Sequence, residues 1–369
     1  MELGLIVPLR DGSLYNFTED CVEDIRLINK LKEMGFSLKE IERVLSLSRR
    51  TNWVEPQEMA EYLMILDDKK EALKKRIEEI HIELKKIEKE QEEVSLSHTG
   101  DKALIGVPLR ALEYLRCPHC SQAFSVEDVQ MNSRYVYRGS LCCACGYKLV
   151  IQDGIVLTPD RCEAETQEAS GADLTREKYK DLPASVVTMM QRTYNFMLHR
   201  IRALSLEDKV VLETRIDHFF YLYTHFRKIE NRTLFIITDR HESVLRMYKE
   251  RIEYMKLDLD ILYVTEGSAG LPLKSGSVDL RIDYFSANAC YEQSGQYFFR
   301  QNERSMKKGS EVIGCYFSGT EKARSFSDRD FRAFMCGSRY RLLKEREIEC
   351  PVEAGEKNRL FLYEYLKEI

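Results

Sequence analysis

The period of the hydrophobic pattern changes several times along the chain, and each change marks a boundary. In "IVPLRDGSLYNFT" (Ile6–Thr18) short β-prone runs flank Asp11-Gly12, the turn chemistry of a hairpin. Val22, Ile25, Leu27, Ile28, Leu31 and Met34 then recur at helical spacing, and Gly35 stops the run. Ser37 followed three residues later by Glu40 forms a capping box that opens a second helix. From Pro56 to about Val94 no glycine or further proline intervenes. Leu73, Ile77, Ile80, Leu84, Ile87 and Val94 advance by fours and threes, with Gln91 at the one polar position of the seam. Every other face of that helix is charged. So narrow a stripe offers a lone helix little core, which predicts a partner helix.

Short β runs occupy the stretch from about Leu112 to Thr158, and the polar, small-residue segment "DRCEAETQEASGADLTREK" reads as a linker. From about Leu174 helical and β patterns alternate, through "KVVLET", "TLFIITD", "LDILYVT", "VDLRIDYF" and "SEVIGCYF", as in a doubly wound α/β sheet. The closing "RYRLLKEREIECP" and "RLFLYEYLKE" are expected to form a hairpin. The fold class is therefore multidomain, α plus α/β. Expected domains are 1–52, a hairpin with two helices; 53–97, the long helix; 112–158; and 174–369.

Composition narrows the chemistry. The formal net charge of −5 over 369 residues means that any nucleic-acid contact must come from a local basic patch. No apolar run reaches membrane-spanning length and no secretory leader follows Met1, so a cytoplasmic protein without membrane contact is expected. In that compartment the 11 cysteines point to metal binding where they cluster, not to disulfides.

They cluster as "RCPHC" and "LCCACG". Cys117 with Cys120, and Cys142 with Cys145, make two Cys-x-x-Cys knuckles about twenty residues apart, a strong zinc-ribbon signal. Cys143 is read as an extra thiol and His119 as a neighbour of the site, not a ligand. Structural zinc is the expected cofactor. The stretch, with Ile151, Asp153, Gly154 and Ile155 after it, resembles zinc ribbons that precede methyltransferase domains.

The front of the chain resembles the MerR family of transcriptional regulators. The residues that carry the likeness are Gly4, Leu5, Pro8, Arg10, Phe17, Thr18, Leu31, Met34, Gly35, Phe36, Ser37, Leu38, Glu40 and Ile41. The long helix then matches that family's antiparallel dimerisation helix. The resemblance implies a homodimeric winged-helix protein that distorts promoter DNA. Arg10, Lys30, Arg49 and Arg50 are the candidate phosphate contacts. The family's first helix-turn-helix would precede Met1, and Tyr15 stands where the family's wing carries an arginine. The chain as written is therefore expected to dimerise but to bind DNA poorly.

The C-terminal layout resembles a class I S-adenosylmethionine-dependent methyltransferase, with "LPLKSGSVDLRID" and "RSMKKGSEV" in place of two family segments. Asp239 falls where the family's ribose-binding acid sits. The cofactor loop departs from the pattern. Glu213 supplies the acidic start, but Arg215, Asp217 and Phe219 stand where glycines should let the backbone approach the cofactor. S-adenosylmethionine is therefore expected not to bind, and no catalytic residue is assigned. Arg215, His218 and Asp239 at the strand ends are candidate contacts for an unknown small-molecule effector. Phe219, Phe220, Tyr223 and Phe226, around His218 and His225, either pack on the sheet or wall a pocket. The expected function is a dimeric MerR-type regulator with a degenerate methyltransferase-like sensor or scaffold. An active methyltransferase and a dimerisation partner that does not bind DNA stay open.

Overall fold

A computed structural model describes residues 4–12, 14–51, 55–98, 102–161, 184–216, 219–229, 232–297, 302–318, 326–349 and 359–368. The linker, apart from its first two residues, and His218 lie outside these. The chain forms two compact units, Met1–Thr99 and Gly100–Ile369.

In the first unit, β1 (Leu9–Asp11) and β2 (Leu14–Asn16) pair antiparallel, with Gly12 at φ +60° in the turn. Helices α1 (Glu19–Glu33) and α2 (Leu38–Thr51) follow, then α3 (Pro56–His98). The capping box is made in both directions. The Ser37 N–H donates to Glu40 Oε2 at 2.6 Å and the Glu40 N–H to Ser37 Oγ at 3.4 Å. The Ser37 N–H, together with Lys69 Nζ at 2.9 Å, lowers the Glu40 carboxyl to about 2. The Lys69 contact ties α3 to the start of α2. Beneath it Leu31, Phe36, Ile41, Val44, Leu45 and Ile65 form the core. Burying each such side chain is worth about 1.5–3 kcal/mol. Helix α3 therefore has two halves. Its first turns close this core, and the rest carries Leu73, Ile77, Ile80, Leu84 and Ile87, each 40–55% exposed.

The second unit is built on a 12-stranded sheet. Its first strands are β3 (Val107–Pro108), β4 (Ser125–Met131), β5 (Tyr135–Cys142), β6 (Lys148–Gln152) and β7 (Ile155–Leu157). The later ones are β8 (Val210–Thr214), β9 (Leu234–Asp239), β10 (Asp260–Thr265), β11 (Val278–Tyr284), β12 (Met306–Ser318), β13 (Tyr340–Glu349) and β14 (Arg359–Lys367). The spatial order is β13-β14-β12-β11-β8-β9-β10-β7-β6-β5-β3, with β4 also on β5. Strands β12, β11, β8, β9, β10 and β7 run parallel; β14 pairs antiparallel with β12, and β13 antiparallel with β14. The order reverses between β8 and β11, which opens a crevice at their carboxyl ends, the usual ligand position of such sheets.

The stretches read as 112–158 and 174–369 share this one sheet. Strand β7 docks parallel on β10, Ile155 opposite Tyr263 and Val156 opposite Val264. Gly154, at φ +77°, makes the junction possible, since a Cβ there would lie 2.6 Å from the Ile105 carbonyl oxygen. Helices α4 (Ala184–Ala203), α5 (Tyr221–His225), α6 (Glu242–Met255), α7 (Ser286–Ser294) and α8 (Asp328–Gly337) cover the sheet. Helix α5 is shorter than the aromatic run suggests. The buried Glu213 carboxyl group accepts the N–H groups of Tyr221 and Leu222 at 2.7 and 2.9 Å, which fixes the helix start. None of the helices among the described residues is long and apolar enough to cross a membrane.

Candidate functional site

The cysteines converge, but not in the expected set. The sulfurs of Cys117, Cys120, Cys143 and Cys145 all lie within 4.8 Å of one another, with Cys117–Cys145 at 3.5 Å and Cys120–Cys143 at 3.3 Å. Cys142 belongs to β5, opposite Lys148, and its thiol lies 3.5 Å from Glu127 Oε2. The sequence reading chose Cys142 over Cys143, and the geometry reverses that choice. Successive side chains of a strand point to opposite faces. The residue that reaches the knuckle is the first one past the strand. Its turn closes through Cys143 N–H to the Tyr147 carbonyl and Gly146 N–H to the Cys143 carbonyl, both at 2.9 Å.

Tetrahedral zinc with Zn–S near ~2.3 Å needs sulfurs about 3.8 Å apart, so this donor set fits. The Tyr147 N–H, and after it the Cys117 and Cys143 thiols, pull Cys145 down to about 7, while burial pushes Cys117 up and burial with the neighbouring thiols raises Cys143. His119 is exposed, its ring 4.8 Å from that of Tyr147, and is not in the donor set.

The strand ends beside the β8–β11 crevice carry buried charged groups. Arg215 sits at φ +57°, the left-handed conformation that a glycine adopts freely at the first position of a cofactor turn. The backbone turn is present, but it carries a side chain. That side chain is buried, with Nε 2.9 Å from Glu266 Oε2, while Thr238 Oγ1 donates to Glu266 Oε1 at 2.8 Å. Arg281 is wholly buried, and its Nη2 donates to Thr214 Oγ1 at 3.2 Å. Asp283 accepts from Ser286 Oγ, the Ala287 N–H and the Tyr363 hydroxyl. Burial pushes the Glu213 carboxyl up to about 8. Phe285, at φ +60°, stacks on Phe317 with ring centres 4.7 Å apart.

At this turn a buried arginine–carboxylate pair stands beside the position where the sequence reading expected glycine. Arg215 does not present itself to an anionic effector, since Glu266 already neutralises it. Asp239 is fully buried, and its Oδ1 accepts the His241 N–H at 2.8 Å at the start of α6. Of the aromatic run, Phe226 packs on Phe235 at 5.1 Å and His225 stacks on Tyr221 at 4.3 Å. Phe219, Phe220 and Tyr223 line a cavity of about 380 Å³.

Arg281 was missed in the sequence, although "VDLRIDYF" contained a signal. A central parallel strand is normally apolar throughout. This one alternates, and its alternate positions Arg281 and Asp283 are buried charged groups at the crevice.

The four basic candidates of the first unit are not equivalent. Arg49 donates to the carbonyls of Gly4 and Leu5 at 2.9 and 2.8 Å and to Asp24 at 2.7 Å, so it clamps the chain's beginning to α1. Arg50 bonds the Ser46 carbonyl one turn back, and Arg10 bonds Gly12 across the hairpin turn. Lys30 is exposed.

Residues 22–87 match the family model described as MerR, DNA binding. The likeness read from the sequence therefore holds for α1, α2 and the first part of α3. No curated protein matches the chain. Solved structures similar to it include a SAM-dependent methyltransferase from Aquifex aeolicus, 16% identical over 47% of this chain and 89% of that one, with a TM-score of 0.37. Another is phosphoethanolamine N-methyltransferase 2 of Haemonchus contortus, 9% identical over 48% of this chain and 53% of that one, TM-score 0.38. A third is the [4+2]-cyclase SpnF, 8% identical over 48% and 80%, TM-score 0.40.

Proposed function

We propose that the protein is a homodimeric MerR-type transcriptional regulator. In this reading a structural zinc stiffens the junction of the second unit. The C-terminal α/β domain acts as a sensor or scaffold and does not transfer methyl groups. The observation that carries the reading is the stripe Leu73, Ile77, Ile80, Leu84 and Ile87. It lies beyond the compact core, half exposed, on the part of α3 that falls within the MerR-matched residues 22–87. Such a stripe is stable in water when a second helix covers it.

An antiparallel pair of α3 helices then sets the spacing of two DNA-contacting modules, with Arg10, Lys30 and Arg50 as phosphate contacts and Arg49 holding the fold. The buried Arg215–Glu266 pair supports a regulatory role for this domain, because it stands at the turn where a methyl donor would lie. The test is light scattering of Ile80→Asp. An unpaired carboxylate in the seam costs several kcal/mol, so the variant should run as a monomer. A full dimer would refute the seam. Calorimetry with S-adenosylmethionine at millimolar concentration should show no heat, and measurable binding would refute the regulatory reading of the domain.

A further inference from the structure

A cavity of about 380 Å³ lies between α4, the 219–225 segment and α6, and neither Arg215 nor Glu266 lines it. That volume falls within the usual range for small-ligand sites, roughly 300–1,000 Å³. Phe219, Phe220, Tyr223 and Tyr248 supply its rings. Phe220 and Tyr223 lie edge-on and tilted to Tyr248, at 5.0 and 5.2 Å, so they form a wall of aromatic faces and edges. Met190, buried, gives the wall a deformable apolar patch.

The charge around this wall is one-sided. No Asp or Glu is among the lining residues, and the one cation is Arg251. Its guanidinium sits 5.8 Å from the Tyr248 ring centre and has no carboxylate partner among the described residues. By contrast, Arg200 is held by Glu364 and Arg246 by Glu242. A half-buried guanidinium without an acid partner among the described residues, beside aromatic walls, suits an anion attached to an apolar body.

We infer that this cavity binds a flat amphipathic anion, a body of about two fused rings bearing one carboxylate or sulfonate, with the acid on Arg251 and the rings against Phe220, Tyr223 and Tyr248. This rests on the sensor reading of the C-terminal domain and moves the sensing site from the β8–β11 crevice to the helical face.

The experiment is calorimetry of the full chain with two probes of equal shape and opposite charge, 1-naphthoate and 1-naphthylmethylammonium. Naphthoate should bind about tenfold more tightly, the scale of one charge-assisted contact. Arg251→Gln should erase that preference at an unchanged melting temperature. Gln191→Trp, an exposed rim change that fills the mouth, should abolish binding of both probes. Equal binding of the two probes, naphthoate binding indifferent to both variants, or no binding at millimolar concentration would each overturn the site. A gel shift with saturating naphthoate separates the two claims. Arg251-dependent binding that leaves DNA affinity unchanged upholds the site and sinks the sensor reading instead.

Discussion

The cysteine cluster and the β8–β11 crevice belong to the same sheet, and they differ in what their side chains do. At the cluster the donor atoms are in place and converge to within 4.8 Å, with backbone N–H groups aimed at a thiolate. At the crevice the backbone turn is in place, with Arg215 in the left-handed conformation, but its side chain is held in a buried ion pair. A metal site needs side chains, whereas a cofactor turn needs their absence. The fold tolerates either state at its strand ends, so strand order alone does not decide what the domain binds.

The largest effect expected from this contrast is at the cluster. Cys117→Ser and Cys143→Ser should each lose about one zinc per chain by metal analysis, and chelation should lower the second unit's melting temperature. Structural zinc is worth about 10–16 kcal/mol in small metal-folded peptides, and part of that in a unit with its own cores. Retained zinc in the Cys143 variant would restore Cys142 as the ligand.

Next comes the crevice ion pair. Arg215→Ala strands Glu266 in a buried site, which costs about 3–5 kcal/mol in denaturant unfolding. The double change Arg215→Met, Glu266→Gln should recover most of that loss. A neutral result for the single change would mean that Arg215 is held in reserve for a ligand.

A smaller effect is a pH slope. Glu213 titrates near 8 in the folded chain, above the ordinary carboxyl value of 4.5. A raised folded-state value means that the unfolded chain releases the proton first as pH rises. The stability that the protonated group supplies is full below about pH 4.5 and is lost as pH rises through 8. The wild-type melting temperature should fall across that window. Glu213→Gln should flatten the fall, and an unchanged slope would assign the titration to another group. Smallest of all, Cys142→Ser should leave zinc content and melting unchanged, because its thiol only meets Glu127 at the surface of β5.

Much of this was legible in local sequence. The capping box, the Pro56 helix and its stripe, the alternation of strands and helices and the closing hairpin each depend on a few neighbouring residues and on the period of burial. The glycine-less loop after Glu213 was also readable, and the structure places Arg215 in it in the left-handed conformation. The sequence could not say which cysteine of the adjacent pair faces the cluster, because that depends on where β5 ends and its register with β6 closes the turn. It could not show that the ribbon and the α/β domain share a sheet, since β7 meets β10 across about a hundred residues. It could not assign the cations either. Arg215, Arg49 and Arg251 look alike as letters. Only packing brings Glu266 to the first and Asp24 to the second, and leaves the third beside aromatic rings with no acid among the cavity's lining, since charge pairing depends on distance in space and not along the chain.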